Sequence, residues 1–151
     1  SLRPYLEDNR QIDVLFLGYA DAYPRRVNIV KNLKTFCHVY NTHECNTQDM
    51  QRLIQRSKIC VNIHIYDNFV LQTVRMNVLL SNKACIVSER SEDKVAEADY
   101  EQGVVFTDDL EKTIKQYLAD FPARKEQAER SYAWYKSRPW KIDLPAEFQS
   151  Q

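Results

Sequence analysis

The sequence predicts an α/β fold: a Rossmann-like, mostly parallel sheet of about five strands with helices on both faces. Three observations predict it. Short apolar runs alternate along the chain with longer stretches of helical spacing, the order that parallel β-α-β units require. The run 12–17, Ile-Asp-Val-Leu-Phe-Leu, is nearly continuous in apolar residues and ends at Gly18, which suits a central strand covered on both sides. The run 59–65 puts Ile59, Val61, Ile63 and Ile65 on one side and Cys60, Asn62 and His64 on the other, the two-residue period of a strand.

In chain order, residues 1–11 are polar, with Pro4 near the start, and read as a linker or short helix whose Leu2, Tyr5 and Leu6 are available to pack on a domain outside this chain. A single domain is expected over 12–138. After the first strand, the loop 19–26 feeds a helix over 25–34 carrying Val27, Val30 and Leu33, so Arg25 and Arg26 fall at its start. Residues 36–40 read as a second strand and 41–46 as a polar loop. Residues 47–56 are amphipathic, with Met50, Leu53 and Ile54 as the buried face. Strand 59–65 then runs through the turn and cap types Tyr66-Asp67-Asn68 into a helix over 70–82, with Leu71, Val74 and Val78 on one stripe. The short apolar run 84–87 stops at Ser88-Glu89. The charged segment 90–102 reads as an exposed loop with a helical turn, and 104–106 as the last strand, bounded by Gly103. Thr107-Asp108-Asp109 supplies an N-cap and early negative charge for a helix over 110–119, and Pro122 opens another that runs to about 136. The tail 139–151 carries Pro139-Trp140, Leu144 and Phe148 without a clear period. It is free to fold over its own domain or to reach another.

The bulk composition excludes several functions. Lys plus Arg and Asp plus Glu are both 21, so the net charge is zero and nothing points to nucleic acid or an anionic membrane. No apolar run approaches the roughly 20 residues of a membrane span, and the expected compartment is cytoplasmic. The 4 cysteines, Cys37, Cys45, Cys60 and Cys85, lack zinc or redox spacing. Three of them fall in predicted strands, where a reduced thiol acts as a small hydrophobe. His43-Glu44-Cys45 are consecutive, the wrong spacing for zinc, and no metal or other cofactor is expected. With only 2 glycines, a glycine-cradled phosphate loop is excluded.

In an open α/β sheet the ligand crevice lies outside the C-terminal strand ends. That places Gly18, Arg25, Arg26, His64, Asn68, Gln72, Arg75, Ser88 and Glu89 on or near one rim. Arginine and helix N-termini hold diphosphates, while carboxylates and amides bind sugar hydroxyls. Each residue also has a structural reading. The arginines suit a solvated surface, His64 a satisfied buried partner, and Arg75 an internal ion pair with Glu89 or Asp67.

The pattern Asn62-x-His64-x-Tyr66-Asp67, then Gln72-x-x-Arg75, then 79–83 running into Ile86-Val87-Ser88-Glu89, resembles the nucleotide-sugar-binding half of GT-B glycosyltransferases, nearest the spore-protein-like subgroup of group 1. The similarity spans roughly 12–136. It implies half of a GT-B fold, a nucleoside-diphosphate sugar as ligand, Arg25 or Arg26 beside the diphosphate, and an N-terminal acceptor-binding domain as partner. The general base would come from elsewhere, so the chain alone would be inactive. Two departures stand out. Where the family places acids around the helix, this chain has Gln72, Asn77 and Val78, and its usual glycine falls on Asn82 or Lys83. The other reading is therefore a non-catalytic Rossmann-like module that has lost the donor site and serves in protein–protein contact. A phospho-acceptor receiver domain would need acids after the first strand, which Leu17-Gly18-Tyr19 does not supply.

Overall fold

The computed structural model describes residues 5–6, 10–43, 45–65 and 73–138. Five strands, β1 (Ile12–Leu17), β2 (Val39–Thr42), β3 (Ser57–Asn62), β4 (Ile86–Glu89) and β5 (Val105–Thr107), form one parallel sheet in the order β2-β1-β3-β4-β5. Six helices connect and follow them: α1 (Pro24–Leu33), α2 (Thr47–Gln55), α3 (Thr73–Ser81), α4 (Lys94–Tyr100), α5 (Leu110–Leu118) and α6 (Phe121–Ser137).

The alternation along each central strand divides the core into two layers. Val14, Phe16, Ile59, Val61 and Val87 point to the side of Val30 and Leu33 from α1 and Ile114 from α5. Leu15, Cys60 and Ile86 point to the other, where Ile54 of α2, Met76, Leu79 and Leu80 of α3, Tyr100 of α4 and Tyr135 of α6 meet them. Helices therefore cover both faces, as the apolar run at 12–17 requires. Burying each of these large side chains contributes about 1.5–3 kcal/mol. Met50 and Leu53 pack partly buried beside Ile54, on the expected face of α2.

Several expectations are corrected. The second strand is Val39–Thr42, not 36–40, because the end of α1 continues as a turn in which the N–H groups of Phe36 and Cys37 both bond the Leu33 carbonyl. Cys37 thus lies in that turn, half-buried, and not in a strand. Segment 90–102 is more ordered than a loop with one turn. Asp93 caps α4 by accepting from the N–H groups of Val95 and Ala96, and Tyr100 is buried with its hydroxyl bonded to Asn77. Tyr5 packs on this chain and not on an absent domain: it is fully buried beside Cys85 and Ala128, and its hydroxyl donates to the Lys58 carbonyl. Leu71 and the residues of the tail lie outside the described part. On α3 the buried face is carried by Met76, Leu79 and Leu80.

The strand order reverses between β1's two neighbours. β2 lies on one side of β1 and β3 on the other, so the crevice expected for a ligand opens where β1 and β3 end. Gly103 is fixed by packing, since a Cβ there would sit 2.6 Å from the Trp134 ring.

Candidate functional site

The site is built at that reversal, from the loops after β1, β3 and β4 and from the first turns of α1 and α3. α1 has no side-chain cap and starts with Pro24, whose fixed φ suits the first helical position. This start puts Arg25 and Arg26 side by side above the strand ends.

Arg26 turns inward and is 2% exposed. Its Nε donates to the Ile63 carbonyl at 3.0 Å and its Nη1 to the Tyr19 carbonyl at 2.9 Å, so one guanidinium ties the loop after β1 to the end of β3. Its planar face lies 5.1 Å from the Phe16 ring centroid and 5.6 Å from that of Tyr23. Its Nη2 is buried without a hydrogen-bond partner among the described residues. Burial pulls its pKa down, with nearby Tyr23 and Glu89 opposing. An unmet donor on a buried cation costs about 1–3 kcal/mol or more, and a protein keeps such a group when something else uses it.

Arg75, from α3, reaches the same place. Its guanidinium lies 5.9 Å from the Phe16 centroid and its Nη1 is 3.4 Å from Asn62 Oδ1. No carboxylate of the described residues pairs with it. Burial first, and then the charge of Arg26, pull its pKa down to about 10, so it remains a cation at neutral pH. Gly18 makes room for this approach: a Cβ there would meet the Phe16 ring at 2.7 Å and Arg75 Nη1 at 3.4 Å. Asn41 holds the Gly18 peptide by donating to the Phe16 and Gly18 carbonyls, at 2.9 and 2.8 Å.

Arg25 is committed differently. It grips the Glu89 carboxylate with both terminal nitrogens, Nη1 at 2.8 Å, and its Nη1 also donates to the His64 carbonyl at 3.0 Å. Glu89 accepts the His64 N–H at 2.7 Å. Of the two partners Arg75 could have taken for an internal ion pair, Glu89 is held by Arg25 instead, because it ends β4 facing the first turn of α1, and Asp67 lies outside the described residues. His64 is 4% exposed, and its Nε2 bonds the Arg90 carbonyl at 2.8 Å, which fixes the loop after β4 to the end of β3. Ser88 is fully buried. Its hydroxyl accepts from Asn62 Nδ2 at 3.0 Å and donates to the Glu89 carbonyl at 2.7 Å.

Seven of the nine residues expected from sequence therefore meet in one network: Gly18, Arg25, Arg26, His64, Arg75, Ser88 and Glu89. Asn68 and Gln72 lie outside the described residues. Asn62, singled out in sequence beside His64 but not counted among the nine, bridges Arg75 to Ser88, and sequence reasoning passed over Phe16, whose ring lies against both Arg26 and Arg75. The signal for Asn62 was its place on the polar side of β3 with His64. Phe16 was hidden in a run that reads as core alone. Of the positions where an acid was expected by resemblance, Gln72 lies outside the described residues, Asn77 accepts the Tyr100 hydroxyl and Val78 packs partly buried against the core.

A family model described as glycosyl transferase-like matches residues 2–138. The chain belongs to that glycosyl transferase-like family. No curated protein and no solved structure matches it. Among the described residues no helix is long and apolar enough to cross a membrane, and no three potential ligands converge as a metal site. Guanidinium groups at the strand ends are the cationic equipment found here.

Proposed function

We propose that this chain is the donor-binding domain of a glycosyltransferase, that its ligand is a nucleoside-diphosphate sugar, and that a second domain supplies the acceptor site. The observation that carries the reading is the pair Arg26 and Arg75: two guanidinium groups against the Phe16 ring, the charge of Arg26 acting on Arg75, at the point of strand reversal, with no carboxylate of the described residues paired to Arg75. Like charges brought together in a partly desolvated place repel, and an arriving diphosphate relieves the repulsion.

The chemistry assigned to the domain is electrostatic. As the bond between sugar and diphosphate breaks, negative charge grows on the leaving oxygen, and pre-placed guanidinium donors stabilise it with little reorganisation. Arg75 is the contacting group and Arg26 the buried charge behind it. Arg25 is spent on Glu89 and so holds the rim together. His64 Nε2 is taken up by the Arg90 carbonyl, and no role as a base is assigned to the ring. The base, where the reaction needs one, belongs to the partner domain, and the isolated chain is then inactive.

The missing acid at Gln72, Asn77 and Val78 and the scarcity of glycine favour a second reading, in which the donor site is lost and the domain serves in protein contact. Thermal denaturation with millimolar UDP, GDP or ADP separates the two. Donor binding predicts that one nucleotide raises the midpoint by several degrees, since a ligand of the native state alone stabilises by mass action. Arg75→Ala removes the shift. An unchanged midpoint with every nucleotide, also after the second domain is joined, leaves the contact module as the reading.

A further inference from the structure

We propose that Glu89 is an intramolecular competitor of the ligand's phosphate, and thereby the residue that limits how strongly the site takes an anion. This rests on the donor-site reading above. Glu89 was expected from sequence to bind sugar hydroxyls, but both of its oxygens are occupied. One is held by Arg25 Nη1 at 2.8 Å and by the His64 N–H at 2.7 Å, and the other by Arg25 Nη2. The carboxylate is also close enough to Arg26 to oppose the effect of burial there. In the described part of the rim it is the one carboxylate bonded to any of the three arginines.

A carboxylate gripped by a bidentate arginine has the geometry of a bound phosphate oxygen pair. Glu89 therefore does for Arg25 what a ligand phosphate would do, and leaves Arg75 as the contacting cation with Arg26 buried behind it. Both partners keep some contact with solvent, with side chains 28% and 15% exposed for Arg25 and Glu89, so the pair is accessible to exchange. The cavity on the far side of Glu89, lined by Ile29, Asn32, Leu33, Leu110 and Glu111, holds about 160 Å³, which is too small for a nucleotide. A ligand thus meets Glu89 from the arginine side. Its fixed negative charge then opposes a diphosphate twice, by repulsion and by occupying Arg25.

The test is titration calorimetry of the full chain with inorganic pyrophosphate and with the nucleoside diphosphate that shifts the thermal midpoint. Wild type, Glu89→Gln and Arg25→Gln are compared at low salt. The amide keeps an acceptor for the His64 N–H but removes the charge. The expected order is Glu89→Gln tightest, by about 3- to 10-fold over wild type, and Arg25→Gln weakest, since it leaves the Glu89 charge to the other two arginines. The gain shrinks as salt rises. Unchanged or weaker pyrophosphate binding by Glu89→Gln overturns the proposal. So does weakening for the nucleotide alone, which would make Glu89 a ribose ligand. If Glu89→Gln does not fold, Arg25→Gln binding as tightly as wild type overturns it equally. Binding by wild type in the wrong order removes only this inference. No pyrophosphate binding by any of the three overturns this inference as well, whereas the donor-site reading falls only if the nucleotides also fail with the second domain joined.

Discussion

Arg75 is a residue whose cost and use separate cleanly. A partly buried cation with a neighbouring cation and no carboxylate partner among the described residues destabilises the unliganded chain, because its desolvation is not repaid. Arg75→Met keeps the length of the side chain and removes the charge. The variant is expected to be more stable than wild type by about 1 kcal/mol in urea unfolding while losing nucleotide binding, the trade seen where a site is kept at the expense of the fold. A loss of stability on substitution would instead make Arg75 structural. Lys83 shows a different kind of cost. It stands at φ 56, a left-handed position that glycine takes more easily, at one of the two positions, Asn82 or Lys83, where the family's usual glycine was expected. Its ammonium offsets part of that by reaching Glu129 at 3.3 Å and the face of Tyr132.

Among the elements, the helices with strong local signals fell close to where the sequence put them, while the strand expected over 59–65 starts and ends earlier, as Ser57–Asn62, with His64 and Ile65 beyond it. Asn46, Asp109 and Asp120 cap α2, α5 and α6 by accepting N–H groups at 2.8, 3.1 and 3.0 Å, the short polar types that precede apolar periodicity. The cap on α6 is the most consequential, because that 17-residue helix carries Tyr135 and Ala128 into the core. Asp120→Ala is expected to lower stability by about 0.5–2 kcal/mol without changing ligand affinity, read by thermal or urea unfolding. Short elements with weak signals moved. β2 slid by three residues because nothing in Phe36-Cys37-His38 told a strand start from a helix end, and only the turn back to Leu33 settles it. α4 was hidden by its charge, since Tyr100 is its only buried residue and a single anchor produces no visible period.

At the scale of the molecule, the parallel sheet was legible because the buried strands carry their signal in composition. Which arginine does what was not legible. Arg25 and Arg26 are adjacent in sequence, yet one pairs with Glu89 and the other is buried against Phe16, a difference set by the direction each leaves α1. The core also fixes the response to pH. Burial raises the pKa of the Cys60 and Cys85 thiols above the ordinary 9.0, Cys85 to about 12, and that of the Tyr5 hydroxyl above 10.0. A group whose pKa is raised by folding contributes stability that is complete below its unfolded value and is lost as pH climbs toward the folded one. Stability is therefore expected to be level near neutrality and to fall steadily from about pH 9 upward. Urea unfolding as a function of pH reads this, and constant stability up to pH 11 would contradict the burial of these groups.

The central claim, that Arg26 and Arg75 await a diphosphate, is tested most directly by watching the arginine Nε–Hε signals in ¹⁵N–¹H spectra as a nucleoside diphosphate is added. The account predicts that the signals of Arg75 and Arg26 move together and saturably, while those of the exposed Arg52 and Arg56 stay in place. Equal, unsaturable drift of all of them would show only general attraction of an anion to positive charge, and would contradict a built diphosphate site.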